Sequence, residues 1–454
     1  MKTDFLHEAI RAAEAAGADY ADIYIQCGEG HSIHFEDGKT DEISSSTADG
    51  SGSRVIVGGQ TFYSHAPGIT AEAVGSCFAE TVRDALKTRI KVPTERFDIP
   101  LLETGAAAAQ PSADFFRAMD SQLKKESSEI RQSSYRYTTT RKKVLIIGPE
   151  GRLTEESRWY TSFSAQVIVE RKGMLQTGSE RRCLSLAAEN FWDGSAPLEV
   201  ARTALRRALL MLEAKNCPAG KMNVIIAGEA GGTIVHEACG HGLEADIVEK
   251  DHSVYRNKIG ERVAHESITM LDDATLPGLY GSYQYDDEGN PAAKTVLIEK
   301  GILKAYMTDE LSSRLYGLPI TGNGRRESYR HIPVPRMSNT FVLPGTESLD
   351  SMLAKAEKGL FVKKMGGGEV DPTSGDFVFY VSEGYLIENS KIGTPVRGAI
   401  LTGNGPEALR NISALGTKLL MDPGICGKSG QGVPVTDGQP TMLIEGLTVG
   451  GSEA

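Results

Sequence analysis

Two histidines and a glutamate fall within six residues in Gly231-Gly-Thr-Ile-Val-His236-Glu237-Ala-Cys-Gly-His241-Gly242. Imidazole nitrogen is a common zinc ligand, and a carboxylate beside a metal-activated water is a common general base. The His-Glu-x-x-His spacing of many zinc peptidases puts both imidazoles on one face of a helix; here the second histidine comes one residue later. Five residues of straight α-helix turn about 500° and leave the two side chains roughly 140° apart. Convergence on one ion therefore requires the helix to end or bulge between them, as in a π-turn. Gly240 and Gly242 flank His241 and make such a break available. The plainer reading is one buried structural histidine and one exposed histidine on an ordinary helix. A zinc site needs at least a third protein ligand.

The candidates for that ligand are His252, His265, His331, Asp246, Cys239 and Cys426. Cys239 lies between the histidines, and its short side chain is expected in the core, where most free cysteines sit. Cys426 stands out in Asp422-Pro-Gly-Ile-Cys426-Gly-Lys-Ser-Gly-Gln-Gly432, a glycine-dense stretch read as a loop, with Lys428 near enough to favour a thiolate. A loop cysteine without a role fits the spacing equally well. Gly427-Lys428-Ser429 does not complete a phosphate-binding P-loop, because Asp422 stands where the first glycine belongs.

Several elements must position these groups. A chain of 454 residues is too long for one core. The residues read as an α+β protein in three domains: an N-terminal α/β sandwich-like unit over 1–100, a central antiparallel meander with a helix over 101–217, and a strand-rich catalytic domain over 218–454. Residues 3–17 and Thr70–Leu86 carry helical patterns. Ala21–Gln26, Ser32–Glu36 and Ser53–Gly58 read as strands, with Asp37-Gly38 as a hairpin turn. Residues 87–111 read as a connector. Ser112–Lys124 and Leu198–Ala214 read as helices, and between them Ser133–Thr140, Lys143–Ile147, Arg158–Val169 and Gly173–Gln176 read as short strands. Met222–Ala227 reads as a buried strand, Glu229–Gly232 as a turn, and Thr233 as the cap of the helix that carries His236.

Composition excludes some functions. A net charge of −11 argues against a nucleic-acid partner, which needs clustered Lys and Arg. Six scattered cysteines without a Cys-x-x-Cys fit a reducing cytosol, so a cytoplasmic location is expected. The charged start has no apolar signal region, and no run of 18 apolar residues spans a membrane.

With these stretches in view, the chain resembles the TldD branch of the TldD/TldE (PmbA) metalloprotease family. The resemblance covers essentially the whole chain. It is carried by His236-Glu-Ala-Cys-Gly-His-Gly-Leu-Glu-Ala-Asp246, Tyr285-Asp-Asp-Glu-Gly289, Thr321-Gly-Asn-Gly-Arg-Arg-Glu-Ser-Tyr329, Pro335-Arg-Met-Ser-Asn-Thr340, Gly366-Gly-Gly-Glu-Val-Asp371 and Cys426-Gly-Lys-Ser-Gly-Gln-Gly-Val-Pro434. Asp19-Tyr-Ala-Asp22 and Asp37-Gly-Lys39 match more loosely. The resemblance implies a zinc ion held by His236, His241 and Cys426, with Glu237 as the glutamate of the motif. It implies cleavage of peptides and unfolded segments, including leader removal from ribosomally made precursors. It also implies pairing with a TldE-like subunit, or between two copies. The TldE branch typically lacks the ligands that this chain keeps. The family is also associated with DNA gyrase, but the acidic charge does not support direct DNA binding.

The chemistry expected of such a site follows from its residue types. Two neutral imidazoles and a thiolate leave one zinc position for water, whose pKa falls towards ~7. Glu237 takes its proton and passes it to the leaving amine. His331, Arg325, Arg326 and Tyr329, close together in sequence, are candidates to stabilise the oxyanion; each reads as well as an ordinary packing or surface residue. Gly366-Gly-Gly could let an extended peptide add as a strand. Two rival readings are a catalytically inactive regulatory or scaffold subunit, against which the intact ligands argue, and a zinc hydrolase or deaminase for small molecules. The deaminase signature, His-x-Glu with Cys-x-x-Cys, is absent.

Overall fold

The computed structural model describes residues 4–90, 92, 111–192 and 196–451. Most of the connector expected over 87–111 lies outside the described residues. The architecture is α+β.

The first half is built on one antiparallel sheet. Its strands are β1 (Tyr20–Glu36), β2 (Lys39–Thr47), β3 (Gly50–Val57), β4 (Gln60–Pro67), β5 (Ile130–Ile147), β6 (Leu153–Arg171) and β7 (Met174–Leu184). The order is β4-β3-β1-β5-β6-β7, with β2 also paired to β1. β1 pairs with β5 from Ile23 opposite Ile147 to Glu36 opposite Ser134. Strands from both sides of residue 100 therefore share one sheet. The two strands expected within 21–36 are one, as are the two within 133–147. Neither β2 nor β4 was expected, because the Lys39–Thr47 stretch is polar and largely exposed and has no apolar alternation to read.

Helices cover one face of this sheet. Leu6, Ile10, Val74 and Phe78 from the helices Asp4–Ala15 and Ala71–Leu86 pack with Ile23, Val55 and Leu145. Thr70, read from sequence as the first residue of the second of these helices, instead caps it through the amide of Ala73 at 3.2 Å. Phe116 and Leu123 of Ala113–Lys124, with Ala204 and Ala208 of Ala196–Glu213, cover Tyr135, Phe163 and Val167. On the other face Tyr24, Val144 and Ile146 meet Tyr329 from the second half of the chain. Residues 144–147 are thus buried on both faces, which explains their continuous apolar run.

The second half adds β8 (Lys215–Asn216), β9 (Gly220–Ile226), β10 (Met270–Asp273), β11 (Lys294–Glu299), β12 (Ile302–Leu303), β13 (Gly324–Arg325), β14 (Val334–Pro335) and β15 (Asn339–Val342). It continues through β16 (Gly359–Val370), β17 (Asp376–Glu388), β18 (Lys391–Arg397), β19 (Ile400–Asn404), β20 (Ile412–Leu415), β21 (Leu420–Lys428), β22 (Gln431–Gln439) and β23 (Met442–Gly450). Strands β16, β9, β23, β19 and β17 pair in succession, and β17 pairs back to β16, closing a ring. A second sheet runs β12-β11-β10-β15-β22-β21. The segment that carries His236 and His241 lies between these two sheets. Ala238, Cys239 and Leu243 are buried there with Phe377, Leu401 and Val433.

Buried ion pairs tie the halves together. Arg54 of β3 meets Glu288 at 2.6 Å, Arg158 of β6 meets Asp287 at 2.7 Å, and Arg152 meets Glu310 at 3.1 Å. Among the described residues, no helix is long and apolar enough to cross a membrane.

Candidate metal centre

The histidine motif does not form a regular α-helix. One α-turn over Thr233–Val235 passes into a π-helix over His236–Gly240 and then a 3-10 turn over His241–Leu243. The wide π-turn is the bulge that the five-residue spacing demands. Its effect is to bring the two imidazoles within 4.9 Å, ring centre to ring centre. Gly232, not Thr233, occupies the cap position, and no side chain caps this turn.

The two glycines around His241 act by size. Neither has a positive φ. A Cβ on Gly240 would stand 2.1 Å from Met337 Sδ, and one on Gly242 2.8 Å from the Tyr255 ring. Gly232 is as tightly placed, since its Cβ would come 2.5 Å from the Gly438 amide and 2.6 Å from Asp437. That contact seats the turn directly on β22.

Cys426 arrives from the other sheet. It lies on β21, opposite Val433 of β22, and the glycine-dense stretch around it is a strand and tight hairpin, not the expected loop. Ser429 and Gly430 take positive φ at the turn, the conformation a two-residue hairpin requires. Cys426 Sγ stands 3.6 Å from His241 Nε2. The ligand atoms of His236, His241 and Cys426 all lie within 4.8 Å of one another, and all three residues are buried. The ligand separation around a tetrahedral zinc is about 3.6 Å from nitrogen to sulfur, given the usual bond lengths. The His241–Cys426 pair already has that spacing.

The far nitrogens complete the fit. His236 Nδ1 donates to Asp437 Oδ1 at 2.8 Å, and His241 Nδ1 donates to Glu244 Oε2 at 3.0 Å. These bonds leave both Nε2 atoms on the side of the thiol, where they could bind a metal in place of a proton. Lys428 Nζ in turn contacts Glu244 at 3.0 Å and donates to Asp246 at 2.6 Å and to the Pro335 carbonyl at 2.9 Å. Lys428 is thus committed to carboxylates and not to the thiol beside it. Burial alone would push the Cys426 thiol up, but His236 and His241 hold it well below the usual range. Burial likewise works to lower His241, and Glu244 with Cys426 outweighs it to hold the imidazole at about 10.

Glu237 carries no hydrogen bond to any described residue and lines a cavity of about 330 Å³ with His236, His241 and Cys426. Burial pushes its carboxyl up, against the pull of the two histidines. The same cavity is bounded by Gly368, Glu369 and Val370 of β16. Up to Val362 this strand is paired with β9; beyond it, among the described residues, β17 is its one partner. A strand edge is therefore open beside the site.

The other sequence candidates lie elsewhere. Cys239 is fully buried, its thiol pushed up to about 12 by burial. Asp246 holds Lys428, His252 is exposed, and His265 bonds Ser267. None of the four oxyanion candidates lines the cavity. Arg325 donates to the carbonyls of Met337 and Pro434, and Arg326 to that of Asp287. Tyr329 packs against Tyr24, and His331 bonds Ser328. Sequence reasoning missed Asp437 and Glu244. Glu244 sits three residues after His241, a spacing that could have pointed to it; nothing local marks Asp437.

A buried pair of imidazoles and a thiol, backed by carboxylates and beside a glutamate, is a donor set that could hold a metal ion. Family models described as the PmbA/TldA metallopeptidase domain 1, central domain and C-terminal domain match residues 21–89, 104–212 and 219–451. A metalloprotease TldD homologue of Haemophilus influenzae is 38% identical over 96% of this chain and 93% of its own length. A metalloprotease of Methanocaldococcus jannaschii is 35% identical over 92% of this chain and 94% of its own. A Saccharolobus solfataricus relative named a zinc metalloprotease TldD homologue is 35% identical over 56% of this chain and 57% of its own. The chain belongs to the PmbA/TldD metallopeptidase family, on its TldD branch. Two crystal structures share the fold. One is a Thermotoga maritima protein described as a modulator of a DNA gyrase, with TM-score 0.78 and 20% identity, covering 99% of this chain and 100% of that one. The other is TldE from Thermococcus kodakarensis, with TM-score 0.74 and 16% identity, covering 98% and 99%.

Proposed function

We propose that this chain is a zinc peptidase that cleaves extended or unfolded peptides, including ribosomally made precursors, with 218–454 as the catalytic domain. The observation that carries the proposal is the convergence of His236, His241 and Cys426 beside the uncommitted carboxylate of Glu237. A zinc ion bound there would polarise the scissile carbonyl and acidify water at neutral pH. Asp437 and Glu244 fix the tautomer and direction of the two imidazoles. Glu237 accepts the proton of the attacking water and delivers it to the leaving amine. The open edge of β16 aligns a peptide backbone along the cavity by strand-type hydrogen bonds, which favours extended chains and asks little of their side chains.

The relatives' names support the metal and the peptidase class, and the shared fold of TldE supports pairing with a TldE-like homologous subunit, with a second copy of this chain as the other arrangement. We place the protein in the cytoplasm.

The test combines metal analysis with cleavage. Wild-type protein should carry one zinc per chain and lose cleavage of an unstructured peptide on chelation. Cys426→Ala and His241→Ala should lose the metal. Glu237→Gln should keep fold and zinc but lose turnover by several orders of magnitude. Near-normal cleavage by Glu237→Gln, or unchanged zinc in Cys426→Ala, would contradict the roles given to these residues.

A further inference from the structure

A second cavity, of about 460 Å³, lies where the first-half sheet meets the β21–β22 hairpin. Ile425, the neighbour of Cys426, lines both this cavity and the one at the metal centre. Ile425 is thus a boundary residue common to the two cavities.

Its wall carries four cations, Lys142, Arg158, Arg325 and Arg326. Two of them have nearby acids. Arg158 is matched by Glu156 and Asp287, and Arg326 has Asp22 at 4.0 Å. The other two donate to neutral carbonyls, with Asp287 acting on Lys142 only at longer range. Lys142 Nζ donates to the Glu327 carbonyl at 3.0 Å, and Arg325 donates to the Met337 and Pro434 carbonyls at 2.5 and 2.8 Å. Among the described residues neither forms an ion pair, although Lys142 is 9% exposed and Arg325 is 3% exposed. The acids of the wall do not supply one. Asp287 serves Arg158, the Glu327 carboxylate accepts from the Gly432 amide, and Glu29 pairs with neither cation. Three donors on an ammonium with one acceptor, in a cavity, leave room for an anion. Buried cations without a counter-charge are costly, and a carboxylate between them would relieve that cost. Burial, with Arg158, Arg325 and Arg326 nearby, pulls Lys142 down to about 8 against the influence of Asp287.

We propose that this cavity is a carboxylate subsite of the peptide path, in which Lys142 and Arg325 receive an acidic group of the substrate lying to one side of the scissile bond. The proposal rests on the peptidase reading above. The group is either an Asp or Glu side chain or the substrate's own C-terminal carboxylate; both present the same chemistry to the two cations.

The experiment uses the metal-loaded protein and a family of unstructured peptides. One arm exchanges Glu for Gln at successive positions; the other compares free with amidated C termini. The readout is the ratio of kcat/KM between each acid and its neutral twin. Wild-type protein should favour the acid by about tenfold or more in one arm, as a charge-assisted hydrogen bond does. That ratio should collapse towards one in Lys142→Met and in Lys142→Gln, the second of which retains a donor for the Glu327 carbonyl. A wild-type ratio near one in both arms overturns the subsite, as does a ratio that survives in folded Lys142→Gln. If wild-type protein cleaves no peptide, the peptidase reading fails, and calorimetric titration of the Glu-bearing peptide judges the subsite alone. About tenfold weaker binding to Lys142→Gln upholds it, and equal binding overturns it.

Discussion

Each imidazole of the candidate metal centre is held at its far nitrogen by a carboxylate from a different part of the chain. His236 leans on Asp437 of β22, and His241 on Glu244, which Lys428 anchors in turn. Removing such a partner leaves the ligand in place but frees its tautomer and orientation. Asp437→Asn is therefore expected to weaken zinc binding by about 10- to 100-fold, measured by chelator competition; an unchanged constant would remove Asp437 from the site. These partners were the least legible part of the site. The motif spacing pointed to His236, Glu237 and His241. Cys426 was one of six candidates until the family likeness singled it out. Asp437 belongs to a strand whose nearness to the motif is set by the tertiary fold alone. Lys142 carries a separate prediction. Its ammonium titrates near 8 in the fold against the ordinary 10.5, so between these values the unfolded chain binds more protons. Wild-type stability should rise with pH across that window. Below it the burial penalty is fully present, worth about 3 kcal/mol at most. Lys142→Met should then unfold at higher temperature than wild type at pH 7, with the advantage shrinking as pH climbs from 8 to 10.5. A constant difference over that range would show that Lys142 does not titrate early.

At the scale of elements, the site depends on two sheets meeting at a tight contact. The turn before His236 sits on β22 because Gly232 has no side chain. Gly232→Ala would drive a Cβ into the Gly438 amide and Asp437, two pieces of backbone and first-carbon structure with no room to yield. The variant should lose stability, and any folded fraction should bind zinc more weakly than wild type; a stable variant with full zinc affinity would show that β22 can move. The same contact explains which elements could be read from sequence. Helices with apolar stripes, such as Ala71–Leu86, were plain. The π-turn was anticipated because five residues cannot bring two imidazoles together on a straight helix. Long strands were read as fragments, because β1 and β5 each join a stretch buried on both faces to one covered on a single face, and period-two patterning lapses at the crossing. The polar β2 left no apolar signal, and the glycines of β21 read as a loop.

Over the whole molecule, the question is what can reach the candidate metal site. His236 is 5% exposed, His241 8% and Cys426 1%, and the cavity in front of them is about 330 Å³. That space accepts a few residues of extended chain and cannot accept a folded surface. The open edge of β16 can hydrogen-bond a strand, but a strand already paired in a folded protein has no free backbone groups to offer. An unfolded segment has them, and ordering it costs about 1–2 kcal/mol per residue, offset by the new ladder. The buried ion pairs that clamp the first-half sheet onto the second argue against wide opening, since separating Arg54 from Glu288 and Arg158 from Asp287 would break two charge-assisted contacts between the halves. Selection between substrates should therefore follow the unfolded fraction of the substrate. For one protein presented in its native form and with a destabilising core substitution, cleavage should speed up in proportion to the population of unfolded chain when unfolding is fast compared with cleavage. Equal rates for the two forms, measured under conditions where the native one stays folded, would mean that the centre opens to folded surfaces and that the clamp does not hold during turnover.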